Sequence, residues 1–131
     1  MSKLYFKEIP LEPSEFSLDV IVTKSHNKAA KFLKRRYNLR KFKTKSHQLL
    51  NSVRTVESGT ASPLKGEIRI VMILETLNPA IIVHELVHVM HRMSRETGVE
   101  LSFDAQEWHA LAMERLYNET LKRSNYQIFN F

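Results

Sequence analysis

The spacing of apolar residues changes along the chain, and the changes predict a mixture of strands and helices. Residues 16–22 alternate apolar and polar positions, while residues 52–56 and 68–74 are rich in β-branched side chains, so these three segments are predicted strands. The turn-forming residues 57–66 between the last two favour an antiparallel pairing. Residues 24–37 show the apolar spacing of a helix with a basic outer face. The order of elements indicates an α+β domain.

A second helix is predicted soon after the third strand. Asn78 is a favourable N-cap, Pro79 suits the first helical position, and Gly98 is a natural C-cap about five turns later. Within this span, apolar residues recur at i, i+4, i+7 and i+11 and define one side of the helix. These residues are Ile82, Leu86, Val89 and Met93. The helix should therefore pack this side on the core and expose the opposite side.

The exposed side carries a His-Glu-x-x-His motif formed by His84, Glu85 and His88. Residues at i and i+4 project from the same helical face, so both imidazoles can reach one tetrahedral zinc ion while Glu85 faces a zinc-bound water as general base. His91 and Ser94 occupy the positions where the longer metzincin motif requires glycine and a third histidine. His91 is therefore predicted to line the cleft or support the ligands rather than to bind zinc.

A catalytic zinc site usually has a third protein ligand, and Glu107 is the best candidate in the sequence. It lies in residues 102–117, a second amphipathic segment that can fold back across the histidine pair. Asp104 followed by Glu107 also fits a capping box, in which the glutamate only bonds the backbone. Asp104, His109 and Glu114 are alternative ligands, so the third position stays open on this reasoning.

The motif and its surroundings resemble the small zincin-like metallopeptidases encoded by tailed bacteriophages. The resemblance lies in a proline-headed HExxH helix, a glycine turn, and an acidic segment that opens an alanine-rich helix. The matching positions are residues 78–88, Gly98-Val99-Glu100-Leu101, Asp104 and Glu107. The layout is also similar to the wider gluzincin group, whose third zinc ligand is a glutamate on the following helix. The resemblance covers residues 67–120 and implies that His84, His88 and Glu107 bind zinc and that Glu85 is the general base.

A competing resemblance makes His109 the third ligand. SprT-like crosslink-repair proteases combine HExxH with a histidine further along the chain, and His109 lies at a suitable separation. Gluzincin-type sites also use a side chain that stabilises the oxyanion. The eligible residues here are His91, Arg92, His109, Tyr117 and Tyr126. The sequence does not choose among them.

Composition restricts the class of protein and the chemistry of its sites. The 131 residues suffice for one compact domain, which we assign to residues 1–131, and they include no cysteine. A Zn²⁺ site must therefore use nitrogen and oxygen ligands. Residues 1–10 lack the apolar core of a signal peptide, and no segment approaches the ~20 apolar residues of a membrane span. We therefore expect no membrane partner and a cytoplasmic location, in the host cytoplasm if the protein is phage-encoded.

Positive charge is concentrated in one part of the chain. Between Asp19 and Glu57 there are eleven basic residues and no acidic one, whereas the whole chain has a net charge of +6. Such a segment is commonly a solvated surface, but it can also bind an acidic partner or bind nucleic acid weakly and without sequence preference. Residues 24–54 are the predicted region for such a partner.

Together these features predict a small zincin-like α+β domain. It would have an antiparallel or mixed sheet of about three strands, the HExxH helix and a second, C-terminal helix. The predicted function is that of a zinc metalloendopeptidase acting on a protein or peptide substrate. The alternatives are a binding module in which zinc is a structural staple, and a SprT-like nucleic-acid-associated protease. An aromatic tail is predicted to dock on the core, and it contains Tyr126, Ile128, Phe129 and Phe131.

Overall fold

The computed structural model describes residues 3–10, 17–37, 49–57, 68–97 and 106–130, which form five strands and three helices. In chain order these are β1 (Leu4–Pro10), β2 (Ser17–Thr23), α1 (His26–Tyr37), β3 (Ser52–Glu57), β4 (Ile68–Leu74), α2 (Pro79–Thr97), α3 (Gln106–Leu121) and β5 (Gln127–Phe129). The predicted α+β class is confirmed. Within these ranges, every helix is too short or too polar to cross a membrane.

The five strands form one mixed sheet in the order β3-β4-β2-β1-β5. β2 and β4 run parallel at its centre, and the other neighbours are antiparallel, including the predicted pair β3 and β4. The predicted count of about three strands is wrong, because β1 and β5 lacked a recognisable pattern. β1 includes Lys7 and Glu8 and ends at Pro10, and β5 has only three residues.

Apolar side chains fill both faces of the sheet, and the helices divide between the faces. α1 covers one face, where it packs on Phe6, Ile21 and Ile73. α2 and α3 cover the other face, which includes Val20 and Met72. A central strand that is buried on both faces has no polar alternation, which explains the continuous apolar run of β4 from Ile70 to Leu74. The exposed surface of α1 is therefore separated from α2 by the thickness of the sheet.

The C-terminal end of α3 is held on β1 by Lys7, of which only 4% is exposed. Its ammonium group donates hydrogen bonds of 2.6 Å to the carbonyl oxygens of Glu119 and Lys122, and it lies 4.4 Å from the ring centre of Tyr126. The Tyr126 hydroxyl donates a 2.7 Å hydrogen bond to the carbonyl oxygen of Thr120. These contacts satisfy carbonyl groups that a helix end leaves without intrahelical partners.

The aromatic tail docks on the sheet, as the sequence predicts. β5 extends the sheet by pairing with β1, and Phe129 lies opposite Leu4. The Phe129 ring meets Phe32 of α1 edge-on, with 5.1 Å between ring centres. Phe131 lies outside the described residues. The tail therefore covers the edge of β1 and closes part of the core beneath α1.

A buried carboxylate lies beneath the C-terminal end of α1. Asp19 is fully buried and accepts a hydrogen bond from the Tyr37 hydroxyl. Its oxygens lie 3.4 Å from Arg69 Nη1 and 3.8 Å from Arg36 Nε, and both arginines also pair with Glu8. Burial raises the pKa of Asp19, while the Tyr37 hydrogen bond and the arginines act in the opposite direction. The cluster ties α1 to three strands.

Candidate functional site

The helix that carries the HExxH motif begins as its sequence predicts. The Asn78 side-chain oxygen accepts a 2.9 Å hydrogen bond from the Ala80 amide, and its carbonyl oxygen accepts a 2.9 Å bond from the Ile82 amide. Asn78 is thus the N-cap, and Pro79 occupies the first helical position, where no amide donor is needed. This N-cap defines where α2 begins, and the helical repeat then determines which side of the helix each following residue occupies.

The predicted apolar stripe of α2 is confirmed. Its four residues are between 0% and 2% exposed and pack on the sheet, together with Met90. They are Ile82, Leu86, Val89 and Met93. Because this side of the helix is buried, residues about half a turn away must face solvent. His84, His88 and His91 are accordingly exposed.

His84 and His88 form a pair on the exposed side of α2. Their ring centres are 5.1 Å apart, and the rings are inclined by 69°. The His84 side chain is 70% exposed, so solvent and a ligand can reach it directly. Two imidazoles at this spacing can bind one metal ion without a change in the helix. His91 lies one turn further along the exposed side and is a neighbour of the pair.

Glu85 differs from both histidines because it is buried, with 5% of its surface exposed. Its Oε1 lies 3.9 Å from Nε2 of His84, so the carboxylate is next to the pair. Burial raises the pKa of Glu85, and the charges of His84 and His88, when protonated, oppose that shift. A carboxylate with a raised pKa is a better proton acceptor than an ordinary one, as a general base requires.

Arg92, one turn beyond His88, shows which side of α2 lies toward β3. His84, His88 and Arg92 follow one another at intervals of four residues and therefore form one row along α2. Arg92 Nη1 donates a 2.8 Å hydrogen bond to the hydroxyl of Thr55 in β3. β3 is an edge strand of the sheet. Each step of four residues turns by about 40° around a helix, so the row runs from His84, which faces away from the sheet, to Arg92, which reaches β3.

α3 lies on the other side of α2, toward β1. Leu77, just before α2, and Arg123, just after α3, line one cavity of about 250 Å³, which shows that the two helices run antiparallel. The 16 residues of α3 extend about 24 Å. Its first turn, which contains Glu107, is therefore level with the C-terminal end of α2 and not with His84 or His88.

The structure consequently does not bring the predicted third ligand to the histidine pair. Among the described residues, no three histidine, aspartate or glutamate side chains gather closely enough to hold a metal ion. Glu107 and Glu114 are exposed on α3, and His109 lies edge-on to Trp108, with 5.0 Å between ring centres. Tyr117, predicted as an oxyanion group, is half-buried against the core. The alternative ligand at position 104 lies outside the described residues.

The residues on α2 fit the part of a catalytic zinc site that one helix supplies. Two imidazole nitrogens and an adjacent carboxylate match the chemistry of two ligands and a base. The third protein ligand is absent from this arrangement of the described residues. Zinc binding by His84 and His88 alone would be weaker than binding at a complete three-ligand site.

Two valines beside the histidines are exposed, although no prediction from the sequence assigned them a role. Val83 and Val87 are 45% and 43% exposed, and they lie four residues apart next to His84 and His88. From Pro79 to His91, the exposed side of α2 carries no aspartate, glutamate, lysine or arginine. The signal was present in the sequence as a second apolar i, i+4 pair outside the buried stripe. A surface of this composition suits contact with another molecule.

Comparison with known proteins identifies no relative. No family model matches the chain, and no curated protein and no solved structure gives a significant match.

Proposed function

We propose that the protein is a zinc-dependent metallopeptidase in which His84 and His88 bind the metal ion and Glu85 is the general base. The observation that carries the proposal is the combination on α2 of two exposed imidazoles, 5.1 Å apart, with a buried carboxylate 3.9 Å from the first. The resemblance to zincin-like metallopeptidases supports the same assignment of roles. Membership of that family, a protein or peptide substrate, and a third zinc ligand belong equally to the proposal.

Each residue of α2 has a separate task in this proposal. A bound zinc ion would polarise the peptide carbonyl and lower the pKa of an attacking water. His84 and His88 hold the ion on the solvent side of the helix, where a peptide can approach. Glu85 accepts the proton of the attacking water and delivers it to the leaving amine. Val83 and Val87 offer apolar contacts to the side chains of the substrate.

Zinc content tests the metal site. Purified protein, loaded with zinc and dialysed, should retain the metal, and His88→Ala should lose most of it. His26→Ala is the matched control, because His26 lies on α1, on the other face of the sheet. Retention of zinc in His88→Ala at the wild-type level would contradict the assignment.

Zinc content measured on variants of α3 tests which residue is the third ligand. The structure keeps Glu107 away from the pair, so zinc content in Glu107→Ala should equal that of the wild type if this arrangement persists with zinc bound. Loss of zinc in Glu107→Ala would instead mean that α3 moves when the metal binds. Loss in His109→Ala would favour the SprT-like alternative.

Cleavage of casein or a peptide library tests the chemistry. Glu85→Gln keeps the size of the side chain but cannot accept a proton, so turnover should fall by at least about 10²-fold while zinc is retained. The matched control is Glu75→Gln, which changes an exposed glutamate between β4 and α2. Cleavage that survives both Glu85→Gln and a chelator would mean that the activity belongs to a contaminant.

One observation favours a second function. The exposed side of α2 combines Val83 and Val87 with a histidine pair that lacks a third ligand among the described residues. A binding module in which a metal ion has only a structural role would show the same combination. A module of this kind needs the histidines but not the base. Glu85→Gln would then behave like the wild type in a pulldown with cell lysate, whereas Val87→Lys would lose the partner.

A further inference from the structure

α1 has a buried side and a basic side, and it carries most of the basic residues that the structure describes in the segment 24–54. α1 buries Ala29, Leu33 and Tyr37 against the sheet, and the opposite side of the helix faces solvent. Five basic residues lie on or beside that solvent side. They are Lys24, Lys28, Lys31, Lys34 and Arg35, and we call them the α1 basic face.

Two acidic side chains near α1, Asp19 and Glu8, pair with arginines that lie outside the α1 basic face. Asp19 is fully buried beneath the helix, and Glu8 pairs with Arg36 and Arg69. α1 itself has no acidic residue. Arg36 turns inward, where its guanidinium lies 4.1 Å from the ring centre of Phe6. The positive charge of the α1 basic face is therefore not neutralised from within the helix.

A cavity of about 330 Å³ opens at the C-terminal end of this face. It is lined by Phe32, Arg35, Arg36 and Phe129. Phe129 is half-buried and stands on the edge strand β5, so part of its ring is accessible from the cavity. A partly exposed phenyl ring on a basic surface provides a stacking surface for a planar base.

We propose that the α1 basic face and this cavity bind single-stranded nucleic acid. Lys24, Lys31 and Lys34 contact the phosphate backbone, and one unpaired base enters the cavity against Phe129. A base within a duplex is already stacked and cannot enter, so a single strand is the fitting ligand. The proposal does not depend on zinc binding, because the α1 basic face lies on the opposite side of the sheet from α2.

Binding to a fluorescently labelled single-stranded oligonucleotide of mixed sequence tests the proposal. Anisotropy is measured from 50 to 200 mM salt, and the binding constant should fall as salt rises. Each phosphate contact contributes about 0.7 to the logarithmic salt slope of a single strand. Replacing Lys24, Lys31 and Lys34 with serine should therefore reduce the slope by about 2, and it should weaken binding at low salt on the order of 10²-fold.

The matched control removes the same charge from the other side of the molecule. Arg95, Arg115 and Lys122 are exposed on or beside α2 and α3, and their triple replacement with serine should leave the salt slope unchanged. Equal weakening by the two triple variants would show that net charge, and not the α1 basic face, causes the binding, and this would overturn the proposal. Absence of binding at 50 mM salt would also overturn it.

Phe129 variants test the cavity separately. Phe129→Ala should weaken binding on the order of tenfold without changing the salt slope, whereas Phe129→Tyr keeps an aromatic ring and should bind like the wild type. A melting curve for each variant shows whether β5 is still folded. Duplex bound as tightly as the single strand, or poly-glutamate bound as tightly as the oligonucleotide, would overturn the assignment in favour of a non-specific or an acidic-protein surface.

Discussion

Replacing Lys7 with methionine should destabilise the protein although the site on α2 is untouched. Methionine keeps the apolar stem of the side chain but removes the ammonium group that donates to Glu119 and Lys122. Two carbonyl oxygens at the end of α3 would then lose their donor. A buried carbonyl oxygen that loses its hydrogen-bond donor costs about 1–3 kcal/mol. Because these two bonds are only partly buried, we take the lower limit for each. The free energy of unfolding should therefore fall by about 2 kcal/mol.

The expected loss is large enough to measure by thermal unfolding. An entropy of about 2.1 cal/mol/K per residue gives roughly 0.28 kcal/mol/K for this chain, so 2 kcal/mol corresponds to a fall in Tm of about 7 °C. Lys31→Met is the matched control, since Lys31 is exposed on α1 and its replacement should cost less than about 0.5 kcal/mol. Equal melting temperatures for the two variants would refute the idea that Lys7 anchors α3.

The pH dependence of the same variant supplies an independent check. Burial lowers the pKa of Lys7 below its ordinary value of 10.5. Between the lowered pKa and 10.5 the unfolded chain binds more protons than the folded protein, so this residue makes stability rise with pH in that window. The difference in unfolding free energy between wild type and Lys7→Met should therefore grow as pH increases through the alkaline range. A difference that shrinks would contradict the burial of the charge.

Four further variants test the described contacts. Tyr37→Phe removes the buried donor to Asp19 and should cost about 1.5–3 kcal/mol near pH 7. The Tyr37 hydrogen bond lowers the pKa of Asp19, which burial raises, because it stabilises the carboxylate more than the neutral acid. The cost of Tyr37→Phe should therefore shrink on acidification, as Asp19 becomes protonated in the folded state of both proteins. Asn78→Ala should cost about 1 kcal/mol by removing the N-cap of α2, measured by urea unfolding. Leu86→Ala should cost about 2–5 kcal/mol, but Val87→Ala less than about 0.5, and equal losses would mean that α2 is rotated.

Local patterns were sufficient to predict α2, because every determinant of this helix lies within about twenty residues of sequence. Asn78 and Pro79 define its start, and the repeat of Ile82 and Leu86 determines which side is buried. Once that side is known, the exposure of the histidines follows from helical geometry alone. The same reasoning gave β3 and β4, where the turn-rich connection indicated an antiparallel pair.

The position of α3 could not be predicted in the same way, because it depends on contacts distant in sequence. A helix that follows α2 can pack on either of its sides, and both choices bury an amphipathic face equally well. Here Lys7, more than one hundred residues away, holds the end of α3 over β1. The resemblance implies that Glu107 lies beside the histidines, whereas among the described residues no third histidine, aspartate or glutamate gathers with the pair. β1 was missed for a related reason, since Lys7 and Glu8 interrupt the apolar pattern of a buried strand.

Glu85 is the residue that most clearly departs from what folding alone would select. A carboxylate that is 95% removed from solvent on a core-packed helix destabilises the folded state, and burial raises its pKa as a consequence. Glutamine or leucine at this position would avoid that cost and keep the helix. Natural sequences accept such conflicts mainly where a side chain has a chemical task. The two histidines alone are compatible with a structural metal ion, whereas the proposed peptidase chemistry gives a reason for keeping a buried carboxylate between them. Glu85→Gln should consequently unfold at a temperature at least as high as the wild type while it lacks the proposed peptidase activity, and a clear loss of stability would assign Glu85 a structural role instead.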